Sequence, residues 1–120
     1  MGERTASNRR VRPISGSLML LALALIPTVG LPQTQGDAIV AGREKYVQCA
    51  SCHGADGRST VMGKYPKIGG QNSEYVESAL KAYRDGRRQG SYAALMVAVA
   101  KQLSDQDIAN LATYIQSLGP

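Results

Sequence analysis

The amino-acid sequence predicts an all-α domain, and three observations carry this prediction. Four stretches have apolar residues at helical spacing, the chain lacks the apolar–polar alternation of a strand, and loops rich in Gly and Pro separate the helical stretches. The first helix is predicted over residues 37–49, with Asp37 at its start. Residues 54–72, rich in Gly, Ser, Pro and Lys, are predicted to follow as a loop.

Three further helices are predicted in the second half of the chain. The first of them begins with a cap at Asn72 or Ser73, and a short apolar stretch over 92–101 follows it. The last helix has Ser104 as its cap and acidic residues in its first turn, where the helix dipole favours negative charge; Gly119–Pro120 end it. Its apolar stripe consists of Ile108, Leu111, Ala112, Ile115 and Leu118.

Residues 1–30 are predicted to be a secretory signal peptide. Residues 1–13 contain four Arg and one Glu, and the apolar run "GSLMLLALALIPTVGL" follows them. That run is shorter than the roughly 20 apolar residues of a membrane-spanning helix, although an uncleaved anchor is an alternative. We therefore expect export to the periplasm without stable membrane insertion, a linker over 31–36 and a domain over 37–120.

The composition without the predicted signal peptide is nearly neutral and poor in large aromatic residues. Residues 1–30 contain four of the fourteen basic and one of the nine acidic residues, which leaves ten against eight. The sequence therefore offers little support for nucleic-acid binding. The chain has no Trp and no Phe. A domain of this size with so thin a core often needs a disulfide, a metal or a cofactor.

Both cysteines and the only histidine of the chain lie within five consecutive positions, as Cys49, Cys52 and His53. A structural zinc site needs four N or S ligands, and the chain has three. A thioredoxin-type redox pair would accompany a βαβ pattern, which is missing from the sequence. A disulfide is possible in an exported protein, but so small a loop would stabilise little and would leave His53 unexplained.

The pattern Cys-x-x-Cys-His is the signature of covalent haem attachment. Two thiols one helical turn apart can add to the two vinyl groups of a porphyrin, and the adjacent imidazole can then bind the iron. Export fits this interpretation, because bacterial c-type haem is attached outside the cytoplasm. A haem would also supply the apolar volume that the thin core lacks. The sequence predicts one covalent haem c held by Cys49, Cys52 and His53.

Several segments, in order along the chain, resemble a known family. They are Gly42 and Tyr46, "CASCHGADG", "YPKIGGQ" at 65–71, "LKAYRDGRR" at 80–88 and "ALMVAVAKQLSDQDIANLATYIQSL" at 94–118. Together they resemble the bacterial class I c-type cytochromes, in particular the branch that supplies each half of the periplasmic dihaem cytochromes. The resemblance covers roughly residues 37–118. It implies about four short helices wrapped around one covalently attached haem.

The resemblance also implies a ligand set. His53 would be the proximal iron ligand, Met96 the distal ligand, and the Pro66 carbonyl would accept the Nδ1 proton of His53. From spacing alone, Met96 could equally be a core residue, and Met62 is a rival ligand. Gly42 resembles the small residue that lets the first helix cross the last one closely. Three arginines, Arg84, Arg87 and Arg88, either pair with a haem propionate or carry solvated charge.

We therefore expect a monomeric one-electron carrier that is not an enzyme. Its expected partners are redox proteins such as a membrane oxidase, a reductase or a periplasmic dehydrogenase. A basic edge around the haem, formed by Arg58, Lys64, Lys67 and Lys101, would attract acidic partners. The alternatives are a cytochrome subunit bound permanently to a dehydrogenase or oxidase, a haem sensor or peroxidase with an open distal site, and an exported domain without haem.

Overall fold

The structure is a computed structural model of the chain, and it describes residues 1, 2 and 30–119. The chain divides into two units, residues 1–30 and residues 31–120. Nearly all of the predicted signal peptide lies outside the described residues. Within the described part of the second unit the secondary structure is entirely helical, with no strand, so the predicted all-α class is confirmed. None of the described helices is both long enough and apolar enough to cross a membrane.

Four α-helices and one short turn of 3₁₀-helix make up this unit. In chain order they are α1 (Gln35–His53), the 3₁₀ turn (Val61–Gly63), α2 (Ser73–Arg84), α3 (Ala93–Ala100) and α4 (Asp105–Ser117). The 3₁₀ turn lies in the middle of the segment that was predicted to be a loop.

Helix α1 is longer at both ends than the predicted 37–49. Thr34 forms a capping box with Asp37: its hydroxyl accepts from the Asp37 amide at 3.2 Å, and the Asp37 carboxylate accepts from the Thr34 amide at 3.1 Å. The helix therefore begins at Gln35, inside the predicted linker. At the other end α1 continues to His53 and stops at Gly54, whose φ of 83° favours glycine.

The caps predicted for the other helices are confirmed. The Asn72 side chain accepts from the Tyr75 amide at 3.0 Å and starts α2. Ser104 and Asp107 form a second capping box, with both of its backbone-to-side-chain bonds at 3.0 Å.

The core lies where α1 and α2 pack against α4. Its buried side chains are Tyr46, Val76, Leu103, Ile108, Leu111, Ala112 and Ile115. The crossing of α1 over α4 is close at Gly42, where an added β-carbon would overlap the Asn110 carbonyl oxygen and approach the Tyr114 side chain. The predicted role of Gly42 is therefore confirmed.

The segment between α1 and α2 is held against the core by backbone hydrogen bonds. The amides of Ile68 and Gly69 donate to the Gly57 carbonyl at 2.8 and 3.0 Å, and the Gly70 amide donates to the Ile115 carbonyl of α4 at 2.8 Å. The same segment is also tied to α1, because the Tyr46 hydroxyl donates to the Gly54 carbonyl at 2.9 Å. These bonds fix the path of the chain around residues 65–68.

Candidate haem-binding site

Cys49 and Cys52 lie one helical turn apart in the last turns of α1, and both are partly buried. The extension of α1 beyond residue 49 places the whole Cys-x-x-Cys-His motif on continuous helix. Burial, and to a smaller extent the neighbouring Cys52, raise the pKa of Cys49 to about 11. The Cys49 thiol is therefore protonated at neutral pH.

His53 is buried at the end of α1, with 6% of its surface exposed. Its Nδ1 lies 2.8 Å from the Pro66 carbonyl oxygen. A carbonyl oxygen can only accept a hydrogen bond, so Nδ1 carries a proton, and in the neutral imidazole Nε2 then has the lone pair. This is the tautomer that a metal-binding imidazole needs.

The turn after the motif is closed by Asp56. Its carboxylate accepts from the amides of Ser59 and Arg58 at 2.7 and 2.8 Å and from the Ser59 hydroxyl at 2.7 Å. These hydrogen bonds hold the pKa of Asp56 well below its usual range. The Arg58 side chain donates to the Leu118 carbonyl at 3.0 Å, which ties the turn to the end of α4. The Arg58 guanidinium therefore forms a hydrogen bond within the domain.

Met96 lies half-buried in α3. Among the helices that the structure describes, α3 packs against α2 and against neither α1 nor α4. The structure therefore brings Pro66 to His53 but does not bring α3 against the helix that carries the motif. The apolar helix α3 is covered only in part, and its Leu95 is 54% exposed. The rival Met62 is 76% exposed and lies in the 3₁₀ turn with a φ of 54°.

The three arginines that were alternatives for pairing with a haem propionate interact with other groups of the protein. Arg84 donates to the Leu103 carbonyl at 3.1 Å and to the Asp105 carboxylate at 2.6 Å. Arg87 pairs with Asp85 at 2.8 Å. The Arg88 guanidinium stands 4.6 Å from the centre of the Tyr83 ring, a cation–π contact. The structure favours local structural roles for them.

The contact between Tyr65 and Tyr92, beside His53, was not predicted from the sequence. The ring of Tyr65 lies 6.2 Å from the His53 ring, edge to face, and 5.6 Å from the ring of Tyr92. The adjacent Cys52 raises the pKa of Tyr65. The sequence could have predicted that Tyr65 lies near His53, because Tyr65 directly precedes Pro66, whose carbonyl is the partner of the histidine. The distance of Tyr92 from the motif in sequence gave no such signal.

The residues present fit a covalently bound haem. Two thiols one turn apart and a buried imidazole with one free nitrogen lone pair are the donors that such a group needs. The partly covered apolar surface of α3 is of the kind that a porphyrin face buries. A zinc site gains no support, because the described residues contain no group of three or more His, Cys, Asp or Glu placed to hold a metal ion.

Fold and site together define a small all-α domain of the covalent haem-binding type. The family model for Cytochrome c matches residues 39–119. The chain therefore belongs to the cytochrome c family, with the class I fold and a covalent haem c, and the predicted cofactor is confirmed.

Individual relatives agree with this assignment. Over 82 residues the chain is 50% identical to cytochrome c-554(548) of Halomonas halodenitrificans, an alignment covering 68% of this chain and 96% of that protein. It is 36% identical to cytochrome c4 of Pseudomonas aeruginosa, over 83% of this chain and 47% of that protein. The crystal structure of reduced recombinant cytochrome c4 from Pseudomonas stutzeri superposes with a TM-score of 0.61 at 30% identity, covering 68% of this chain and 48% of that one.

The chain thus spans about half the length of the cytochrome c4 proteins that it matches. This agrees with the predicted resemblance to one half of a dihaem cytochrome. Relatives named as cytochromes also support electron transfer by a haem protein as the general function.

Proposed function

We propose that this chain is an exported, monomeric one-electron carrier of the periplasm. In this proposal Cys49 and Cys52 hold the haem through thioether bonds, His53 and Met96 are its axial ligands, and Pro66 orients His53. Support for export comes from the basic and apolar pattern of residues 1–30. Support for electron transfer comes from the family and its named members.

The hydrogen bond between His53 Nδ1 and the Pro66 carbonyl carries the proposal. It joins residues 13 positions apart, it is 2.8 Å long, and the histidine that makes it is buried. A buried histidine is often a structural residue that uses both ring nitrogens. Here Nδ1 of the histidine that directly follows Cys52 donates to the Pro66 carbonyl, and Nε2 is left as a donor to a metal.

Each residue of the site has a separate task. When bound, the haem supplies one-electron exchange between ferric and ferrous iron. The two cysteine sulfurs hold the group at the end of α1, and the Pro66 carbonyl retains the Nδ1 proton and the ring orientation. The Met96 thioether, a soft ligand, favours the ferrous state and so raises the reduction potential. If His53 and Met96 both bound the iron, no coordination position would be left for a substrate, which fits a carrier rather than an enzyme.

The loop that follows the motif is the proposed docking surface for an acidic redox partner. Lys64 and Lys67 are exposed in this loop, and the apolar side chains of Val61 and Met62 are exposed beside them. Basic groups around a small apolar tip favour fast, weak association with an acidic surface. A membrane oxidase, a reductase or a periplasmic dehydrogenase would be such a partner.

An absorption spectrum of the mature protein, expressed in a host that attaches c-type haem, tests the proposal. We expect sharp reduced bands and, in the ferric protein, the weak near-red band that marks methionine sulfur on iron. A high-spin ferric spectrum without that band would instead support a sensor or peroxidase. A protein that carries no covalent haem would overturn the proposal. Co-purification with a dehydrogenase or oxidase at high salt would favour a permanent subunit.

A further inference from the structure

Helix α3, which carries Met96, is joined to the rest of the polypeptide by few helix–helix contacts. Among the described helices it packs only against α2. Its first turn has no side-chain cap. The connection that leads to it contains Gly86 and Gly90, both at positive φ with open space around their α-carbons. The described polypeptide by itself therefore provides few contacts that fix the position of Met96.

Tyr92 is the N-cap residue directly before α3. Its carbonyl accepts from the amides of Leu95 and Met96 at 3.2 and 3.4 Å, so the backbone of Tyr92 is directly joined to that of Met96. Its side chain is 46% exposed, and its ring lies 5.6 Å from the ring of Tyr65 at an interplanar angle of 52°. This tilted geometry is a favourable one for an aromatic pair.

Tyr65 belongs to the opposite side of the site. It precedes Pro66, whose carbonyl holds His53, and its own ring contacts the His53 ring edge to face. The Tyr65–Tyr92 contact therefore joins the segment that orients His53 to the N-cap residue of the helix that carries Met96. Helix–helix packing provides no such link between α1 and α3.

From these contacts we propose that Tyr65 and Tyr92 are a positioning pair that holds Met96 on the iron by coupling α3 to the His53 side of the site. This inference rests on the proposed His53/Met96 ligation. Loss of the pair raises the population in which Met96 has left the iron while the haem remains attached. An aromatic pair contributes enough for a change of about twofold to tenfold in that population.

Carbon monoxide binding to the ferrous protein measures this population, because Met96 has to leave before the gas can bind. We expect Tyr92→Leu to bind carbon monoxide about twofold to tenfold faster than the wild type, with equal covalent haem content. Tyr92→Phe keeps the ring and should restore the wild-type rate. Tyr75→Leu is the matched control, since Tyr75 is 54% exposed on α2 and forms no aromatic pair among the described residues.

A double-mutant cycle distinguishes a direct coupling between the Tyr65 and Tyr92 rings from a general loosening of the domain. If the two rings act as one contact, Tyr65→Leu/Tyr92→Leu should bind carbon monoxide no faster than the faster single variant. If the two single substitutions instead multiply in their effect on the rate of carbon monoxide binding, the proposed pair is wrong. The same holds if Tyr92→Leu binds carbon monoxide at the rate of Tyr75→Leu. Should Tyr92→Leu not accumulate, Tyr92→Val serves in its place. A wild-type ferric spectrum without the near-red band would overturn the ligation itself and the pair with it, whereas a normal band with unchanged rates overturns the pair alone.

Discussion

Gly42 of α1 lies so close to Tyr114 of α4 that a β-carbon at position 42 would stand 2.6 Å from the Tyr114 β-carbon. The same β-carbon would overlap the Asn110 carbonyl oxygen, which belongs to the α4 backbone. The rings of Tyr46 and Tyr114 pack at 5.2 Å beside this crossing. The approach of α1 to α4 thus depends on a residue without a side chain.

Gly42→Ala should destabilise the protein by about 3 kcal/mol, because neither neighbour is a flexible side-chain end that can move aside. Urea unfolding of the ferric protein measures this change. Gly36→Ala on the same helix is the matched control: its β-carbon would meet only the Thr34 hydroxyl at 3.7 Å. We expect that control to gain about 0.5 kcal/mol from the better helix propensity of Ala. Equal stability of the two variants would show that the helices do not cross this closely.

Met96→Ala should remove the near-red band of the ferric protein, lower the reduction potential and open the ferrous iron to carbon monoxide, because a thioether that favours the ferrous state is lost. The haem should stay attached through the cysteines. Met62→Ala is the control, since Met62 is exposed in the 3₁₀ turn. If Met62→Ala removes the band and Met96→Ala does not, the ligand assignment is wrong.

Replacing Cys49 and Cys52 together by Ala should abolish covalent attachment, measured as haem that leaves the protein on acid–acetone extraction. The small buried core then lacks the volume of the haem, and we expect the variant to lose much of its helical circular dichroism. Ser51→Ala, which alters an exposed residue between the two cysteines, should keep the haem and the fold. Haem that stays bound to the double variant after extraction would contradict attachment through these sulfurs.

Pro66→Ala should speed hydrogen exchange at His53 Nδ1 in the ferric protein by about twofold to fivefold, because the loop that presents the carbonyl loses its fixed φ. The near-red band should persist, since the imidazole remains on the iron. Proton NMR in D₂O measures the exchange. Pro32→Ala, in an exposed part of the chain before α1, is the control. Identical exchange rates in both variants would show that Pro66 does not restrain the ring.

Arg84→Ala should destabilise the protein by about 1–2 kcal/mol. The Arg84 side chain is 27% exposed and donates to the Leu103 carbonyl, which would lose its partner. Arg87→Ala removes a more exposed arginine from a surface pair and should cost no more than about 0.5 kcal/mol. Thermal melting compares the two variants. A loss in Arg84→Ala no larger than in Arg87→Ala would contradict this role.

The same variant gives a pH test. The hydrogen bond and then the charge of Arg84 lower the pKa of Asp105 below its ordinary value of 3.8. A carboxyl whose pKa is lowered by folding stabilises the folded state above its ordinary pKa, and this stabilisation is lost as the pH falls through the folded pKa. The difference in stability between wild type and Arg84→Ala should therefore shrink as the pH falls below 3.8. A constant difference would show that Asp105 is not coupled to Arg84.

Helix starts were predictable because a cap and its partner lie three residues apart. Ser104 and Asp107 close their box in this way, and Asn72 reaches the Tyr75 amide. The start of α1 followed the same rule through Thr34 and Asp37 but was missed, because Asp37 was interpreted as the first residue rather than as the partner of an earlier cap. The extension of α1 to His53 was also missed, although a continuous helix is what places the two cysteines one turn apart.

By itself, the sequence determined the chemistry of this protein. Two thiols and one imidazole within five positions, in a chain with no other cysteine or histidine, indicate covalent haem attachment through spacing alone. Contacts between distant residues were decided only by the tertiary structure: Pro66 with His53, Arg84 with Leu103 and Asp105, and Tyr65 with Tyr92. The resemblance to a family had implied the first of these, and nothing in the sequence indicated the other two. Residue spacing specifies groups on one helix, whereas contacts across loops depend on the path of the backbone between them, which the packing of α1 and α2 against α4 determines.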